Sequence, residues 1–285
     1  MGTGATHLQG VININQPTPG LTPLPQRRPY PLFQNISEVA NVETSRYHAL
    51  QLTAEQRLAH GLSFNGSYTW SHGLDYLSTY VVPVTVPFMD TYNRRLDYGN
   101  ADFDVRHRAV ASFTYLLPFR TSGRLRQAVE GWQFNGILCL YSGLPFTVVS
   151  ATNTLNIAAS SRASYTGIGD GSLTANQRSL QEWFNVAAFS APAPLAFGNV
   201  ARNSLAGPST KQLDFSAFKS FFFKKEPTRA LQFRAETFNL TNTPQFNNPV
   251  STIGAPGAGA ITSAGSPSTF QRLSREVQLA LKLYF

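Results

Sequence analysis

The chain has 285 residues, of which 42% are hydrophobic and 13% charged, with a net charge of +8 and a pI of about 9.8. That length suits one large domain or two ordinary ones, and no apolar run approaches the roughly 18 residues of a spanning helix, which excludes a helical membrane protein. The basic residues form no dense run interleaved with aromatics, which argues against a nucleic-acid partner, and Cys139 stands alone, so no intrachain disulfide can form.

The opening MGTGATHLQG has no basic segment followed by an apolar one and does not read as a signal peptide. Either the chain stays in the cytoplasm or it is the C-terminal part of something longer; the strand pattern favours the second. Val11–Arg28 carries four of the eighteen prolines and reads as an exposed loop continuing to about Thr44. Tyr47–Leu58 then alternates, with Leu50, Leu52, Ala54 and Leu58 on one parity and Gln56 as the exception. Its Ala, Gln, Glu and Leu content would also suit a helix, but helical spacing would scatter the leucines around the cylinder. Ala59-His60-Gly61 is a tight turn, and Leu62–Ser71 sets Leu62, Phe64, Gly66, Tyr68 and Trp70 against Ser63, Asn65, Ser67, Thr69 and Ser71, completing a hairpin.

His72–Val105 reads as a long irregular segment. Arg108–Leu117 returns as a strand, Pro118–Glu130 is a basic turn, and Gly131–Tyr141 is a further strand with Trp132, Phe134, Gly136, Leu138 and Leu140 in register. The longest loop follows, about Thr147 to Ser209. Leu213–Phe223 and Ala230–Leu240 are strands joined by the charged turn Lys224–Pro227, and Asn242–Phe270 is a Gly/Ala/Pro/Ser loop. Arg275–Phe285 closes the chain with Val277, Leu279, Leu281, Leu283 and Phe285 on one face and Glu276, Gln278, Ala280, Lys282 and Tyr284 on the other. An apolar face that runs to a terminal aromatic suits a strand between lipid and a wet lumen.

The connections alternate strictly between short and long. Outer-membrane barrels pair short periplasmic turns with long extracellular loops, whereas a β-sandwich has no reason to sort its loops by parity. The aromatics Tyr68, Trp70 and Trp132 fall near strand ends, where amphipathic rings favour the two interfaces. The expected fold is therefore all-β: an antiparallel transmembrane β-barrel fragment of about seven long strands, with long extracellular loops and short periplasmic turns. Residues 1–44 would be a strand remnant and Pro-rich extracellular loop, and 45–285 the C-terminal portion of the barrel.

Five stretches now fall in one order: RRPYPLFQNI, SRYHALQLTAEQRLAHGLSFNGSYTWSHGLD, YGNADFDVRHRAVASFTYLLPF, LQFRAETFNLTNTPQFNNP and the strand ending in Phe285. Together they resemble the C-terminal barrel of Oar-like TonB-dependent outer-membrane receptors, which carry an N-terminal carboxypeptidase-regulatory-like domain. The resemblance covers nearly the whole chain. It implies a 22-stranded barrel, an internal plug and an N-terminal segment that engages TonB; the sequence contains neither of the last two, so plug and TonB would be reached through upstream regions. It also implies recognition by the barrel-assembly machinery of a last strand with alternate apolar positions and a terminal aromatic. Leu279, Leu281, Leu283 and Phe285 match that candidate signal.

Other constellations are weaker. Arg94, Arg95, Asp97, Asp102, Asp104, Arg106 and His107 cluster before the third strand. Carboxylates and imidazole could bind a metal, but the spacing matches no strong signature. The expectation is charge pairing at an extracellular rim, with Arg94, Arg95, Arg106 and Arg108 as the partners. Ser71, His72 and Asp75 invite a hydrolase reading, but no G-x-S-x-G elbow surrounds them. Gly254–Gly265 lacks the lysine of a P-loop. Arg234 and Glu236 share a polar face and are expected to point into the lumen. No catalytic residue, metal or cofactor is assigned. The expected protein is an outer-membrane, TonB-dependent-receptor-like barrel that takes up or binds a bulky solute. A passive porin-like barrel and a secreted β-rich adhesion or carbohydrate-binding module are the alternatives.

Overall fold

The computed structural model describes residues 2–78, 88–121, 125–157, 161–223, 226–265 and 274–285. Pro83 and Pro87 of the second loop, Lys224 and Lys225 of the charged turn, and the end of the last loop at 266–273 lie outside the described residues. Eight long strands alternate with loops: β1 (Gly2–Asn13), β2 (Ser37–Ala59), β3 (Leu62–Asp75), β4 (His107–Leu116), β5 (Trp132–Tyr141), β6 (Thr210–Phe223), β7 (Glu226–Phe238) and β8 (Glu276–Tyr284). Each pairs antiparallel with the next, so sheet order follows chain order, the meander of an up-and-down barrel wall. Among the described residues β1 and β8 each ladder on one side only, so the sheet is open.

Several boundaries move. β2 begins at Ser37 and pairs with β1 up to Ser37↔Asn13, so the expected division at residues 44 and 45 falls inside a strand. The prolines end well before Ser37, and Val39 and Val42 supply the β-branched residues that favour extension. β3 runs to Asp75, four residues beyond the expected end, because it continues to pair with β2 and with the two-residue strand Gly99–Asn100.

The short connections all lie at one end and the long ones at the other. At the turn after β2, His60 and Gly61 both take positive φ, 51° and 83°, which matches the right-handed twist of a two-residue hairpin. Gly61 has a second reason to be glycine: a Cβ there would sit 2.2 Å from the Leu116 carbonyl oxygen, whose own amide donates to the Gly61 carbonyl at 2.7 Å.

Register carries the alternation across the whole sheet. Leu62, Tyr115, Phe134, Ala217, Ala235 and Leu279 form one cross-strand row on one face. Ser63, Thr114, Asn135, Ser216, Glu236 and Gln278 form the neighbouring row on the other. Leu279 and Leu281 stay 64% and 68% exposed to solvent. A soluble sheet would have to cover such a face. Instead, among the described residues, only Ala49 and Ala230 of the eight strands join the buried apolar residues; the rest of that core lies in the loops. This is the inverse of a soluble sandwich, and it fits a wall whose apolar face meets lipid. At the turn end Lys219 sits on the apolar face, buried over the Trp132 ring at 5.2 Å. Its ammonium reaches the carbonyls of Ala128 and Glu130, so the stem packs while the charge is satisfied at the rim.

The segment between β5 and β6, expected to be an open loop, is a folded body. Phe146, Val148, Ala163, Phe184, Ala188, Phe189, Val200 and Leu205 form its hydrophobic core. Phe184 lies 5.7 Å from both Phe146 and Phe189, ring centre to ring centre. Two-residue bridges hold it: Pro145–Phe146 with Leu205–Ala206, and Ser164–Tyr165 with Phe189–Ser190. A parallel bridge ties Val149–Ser150 to Thr252–Ile253 of the last loop.

Leu138 lies in the middle of β5, between Ala111 and Leu213 on the apolar face. Leu138→Arg should therefore cost about 2–4 kcal/mol at mid-bilayer in a lipid refolding titration. Ser112→Arg, on the opposite face, should cost much less.

Candidate functional site

Above the polar face, at the loop end, a cavity of about 940 Å³ opens between the wall and the loops. Two adjacent register rows make its floor: Gln51, Thr69, Arg108, Tyr141 and Thr210, then Cys139 beside Gln212. Alternation alone delivers these side chains, since every second residue of each strand must face this way. Phe103 and Asp104 from the second loop, Leu144 and Pro208 from the folded body, and Phe246, Asn247 and Asn248 from the last loop form the rim and roof. The volume lies within the range of ligand pockets, about 300–1,000 Å³.

The roof is clasped to the wall by one arginine. Arg202, in the folded body, donates to Asp75 Oδ1 at 2.6 Å, to Ser78 Oγ at 2.7 Å and to Asp102 Oδ1 at 2.9 Å. Its neighbour Asn203 is buried and bonds Asn100 in both directions at 2.8 Å while accepting from Thr147 Oγ1 at 2.9 Å. A second ion pair, Arg162 with Asp97 at 3.2 Å, is buried on both sides. Burial pushes the Asp97 carboxyl up, against the lowering by Arg162 and by the amide of Met89.

Glu43 lies in the part of β2 that reaches past the membrane-facing band, seven residues before Leu50 and roughly 20 Å along the strand. It is buried, and neither carboxylate oxygen has a hydrogen-bond partner among the described residues. Burial pushes its carboxyl up to about 7, with the Arg94 charge the largest opposing influence.

A model of the outer membrane beta barrel domain matches residues 1–278. The chain belongs to this outer membrane β-barrel family. An outer-membrane location follows from that membership. No curated protein and no solved structure gives a significant match.

In this outer membrane β-barrel protein the acidic residues before β4 do form ion pairs, one with an expected partner and two with arginines from elsewhere in the chain. Asp104 pairs with Arg106 at 3.2 Å and accepts from the Gly73 amide at 2.8 Å. Asp97 and Asp102 instead pair with Arg162 and Arg202, brought in by the folded body. Arg94 stacks over Phe88 at 5.9 Å, Arg95 is exposed, and Arg108 lies over Tyr141 at 5.1 Å in the chamber floor. His107 falls on the apolar face, where Nδ1 meets the Tyr68 hydroxyl at 2.8 Å. Ser71 and His72 point to opposite faces: Ser71 donates to the Val105 carbonyl, and His72 meets Asn100. They are not assembled with Asp75 into a relay, since Arg202 holds Asp75.

Arg234 and Glu236 both lie on the polar face of β7. Arg234 bonds Gln232 at 2.7 Å and the Tyr284 hydroxyl at 3.1 Å, and covers the Phe218 ring at 4.6 Å. Neither is among the residues that line the chamber. Leu279, Leu281 and Leu283 share the apolar face of β8, and Phe285 follows the strand, 90% exposed. Among the described residues no His, Cys, Asp and Glu side chains gather into a group that could hold a metal. Sequence reasoning missed Arg162, Arg202, Asn203 and Glu43. The signal available for the first two was their rarity: with Arg178 they are the only basic residues between Ser142 and Ser209.

Arg202→Ala would leave the buried Asp75 carboxylate without its ion-pair partner, a loss of about 3–5 kcal/mol. The expected readout is rapid protease cleavage within 142–209 while the wall stays folded; Arg202→Lys should rescue little, because lysine cannot reproduce the forked contacts. For Glu43 the folded-state pKa lies above the unfolded one, so the folded loops bind the extra proton. Cap stability should be highest below about pH 4.5 as far as this group decides it, and should fall as pH rises through 7. Glu43→Gln should remove that slope in a denaturation series between pH 5 and 8.

Proposed function

We propose that the protein forms part of the wall and outer cap of a TonB-dependent-receptor-like transporter that binds a bulky solute in the chamber for uptake. The observation that carries this reading is the chamber itself: a polar floor laid across β2 to β6 under three interlocked loops, at one end of an outer-membrane wall. A passive pore has no need of a roof tied down by Arg202 and Asn203, whereas a receptor needs a closed, shaped site before anything moves. The long loops face the cell exterior and the short turns the periplasm. The order of motifs from RRPYPLFQNI to the terminal strand supports the Oar-like subtype. The free edges of β1 and β8 would be covered by further strands of the same wall, since exposed ladder groups are not tolerated in hydrocarbon. The plug and the TonB-engaging segment would come from upstream regions, and the apolar face of β8 with Phe285 would engage the barrel-assembly machinery. No residue is assigned a catalytic role.

The test uses the protein as extracted from outer membranes. Capture by the periplasmic domain of TonB, together with a closed state in planar bilayers, is the expected result. Steady ohmic conductance without TonB capture would replace the receptor with the porin-like barrel.

A further inference from the structure

The chemistry of the chamber lining narrows the ligand. Twenty of the described residues line it, and three of them carry a charge: Arg108, Asp104 and Asp214. Both carboxylates are engaged by the protein itself. Asp104 holds the Gly73 amide and Arg106. Asp214 accepts both bonds from the Gln212 side chain, at 3.0 and 3.1 Å, and a third from the Asn239 amide at 2.8 Å. Arg108 is drawn over the Tyr141 ring. An anionic solute would meet one cation here and two carboxylates, an unfavourable balance.

What remains is a mixture of two kinds of surface. Neutral hydrogen-bonding side chains dominate: amides such as Gln51, Asn247 and Asn248, and hydroxyls such as Thr69 and Thr210. Four aromatic rings, Tyr47, Phe103, Tyr141 and Phe246, are spread around them. Amides can donate and accept at once, which suits a ligand whose own groups also do both. Aromatic faces are electronegative and attract the slightly positive C–H bonds of a ring edge or face. A purely apolar solute would displace water from these side chains without replacing the hydrogen bonds it made to them, which is unfavourable. A polyhydroxylated ring, with hydroxyls at its edge and C–H bonds on its faces, satisfies both surfaces together.

We propose that the chamber is a binding site for a neutral oligosaccharide, with the Tyr141 ring, covered on one face by Arg108, as a stacking platform on the floor and Gln212 as a buried positioning residue. The volume of about 940 Å³ suits a short chain of sugar rings rather than a single one. Gln212 is buried and fixed by Asp214, so its orientation is set before a ligand arrives. Phe103, 61% exposed at the rim, marks where such a chain would enter or leave. The proposal rests on the chamber being the solute site, as argued above.

The experiment is calorimetric titration of the detergent-solubilised protein with maltotetraose, cellotetraose, xylotetraose, mannotetraose and chitotetraose. Oligogalacturonate and tetra-alanine serve as anionic and peptide comparators. At least one neutral sugar should bind. Tyr141→Ala should weaken it about tenfold or more, a loss near 1.4 kcal/mol, and Gln212→Ala should do the same. Gln278→Ala, on the polar face of β8 outside the chamber, should leave the affinity unchanged. Failure of every neutral sugar to bind at millimolar concentration overturns the proposal, as does stronger binding of either comparator. Binding that ignores both chamber variants overturns it equally. Cys139 separates this from failure of the chamber reading itself. A membrane-impermeant maleimide should label it in whole cells, and a bound sugar should slow the labelling. Labelling without sugar binding sinks the oligosaccharide alone; no labelling in whole cells sinks the outward-facing chamber and the proposal with it.

Discussion

The hydrocarbon layer offers a backbone no water, so every N–H and C=O of a strand that crosses it must be paired by another strand. That requirement explains why the described sheet is a plain meander. Each long strand finds its partner in the next one along the chain, with the shorter connections gathered at one end. Antiparallel neighbours need no crossover, and no helix covers a face. Once the ladder exists, the two-residue period does the rest. It sends Leu138 and Leu281 to one side and Asn135 and Gln278 to the other without any further instruction.

The same requirement moves the hydrophobic core out of the sheet. In a soluble sandwich the apolar faces of two sheets would meet. Here the wall contributes little buried apolar surface, and the tightly packed phenylalanines sit in the 142–209 body. That body and its neighbours fold in water, and they obey the rules of a small globular domain: a dry cluster, satisfied polar groups, ion pairs at the seams. Asn15 gives an example at the first loop. Fully buried, it donates to the Tyr30 and Phe33 carbonyls at 3.1 Å each and accepts from the Tyr30 amide at 2.8 Å. Arg27 then reaches the Asn156 carbonyl at 2.7 Å, joining the first loop to the third.

The wall was legible in the sequence because its signal is local. Leu62 to Trp70 alternates without interruption, and so does Val277 to Phe285; no distant residue is needed to read either. The loop parity was legible for the same reason, since it depends on spacing alone. The folded body was not. Phe146, Phe184 and Phe189 have no period in the chain, and they meet through two-residue bridges between segments tens of residues apart. The clasp was hidden likewise. Asp97 and Asp102 announced themselves as a charge cluster, but their partners Arg162 and Arg202 are separated from them by two strands and a turn. The chamber lay between these cases. Its floor can be written down from strand register, while its roof depends on where the loops fold.

The division between lipid-facing wall and water-folded cap gives the molecule two independent solvents. A chemical denaturant in the aqueous phase acts first on the phenylalanine cluster, whose stability scales with apolar area withdrawn from water. The wall answers to the thickness and composition of the bilayer, which a denaturant reaches only indirectly. Unfolding of such a chain is not a single all-or-none event. Loss of the cap would leave a folded wall with an uncovered polar floor. One chain can therefore vary its outer surface by sequence drift in the loops while the strand ladder, held by hydrocarbon, stays as it is.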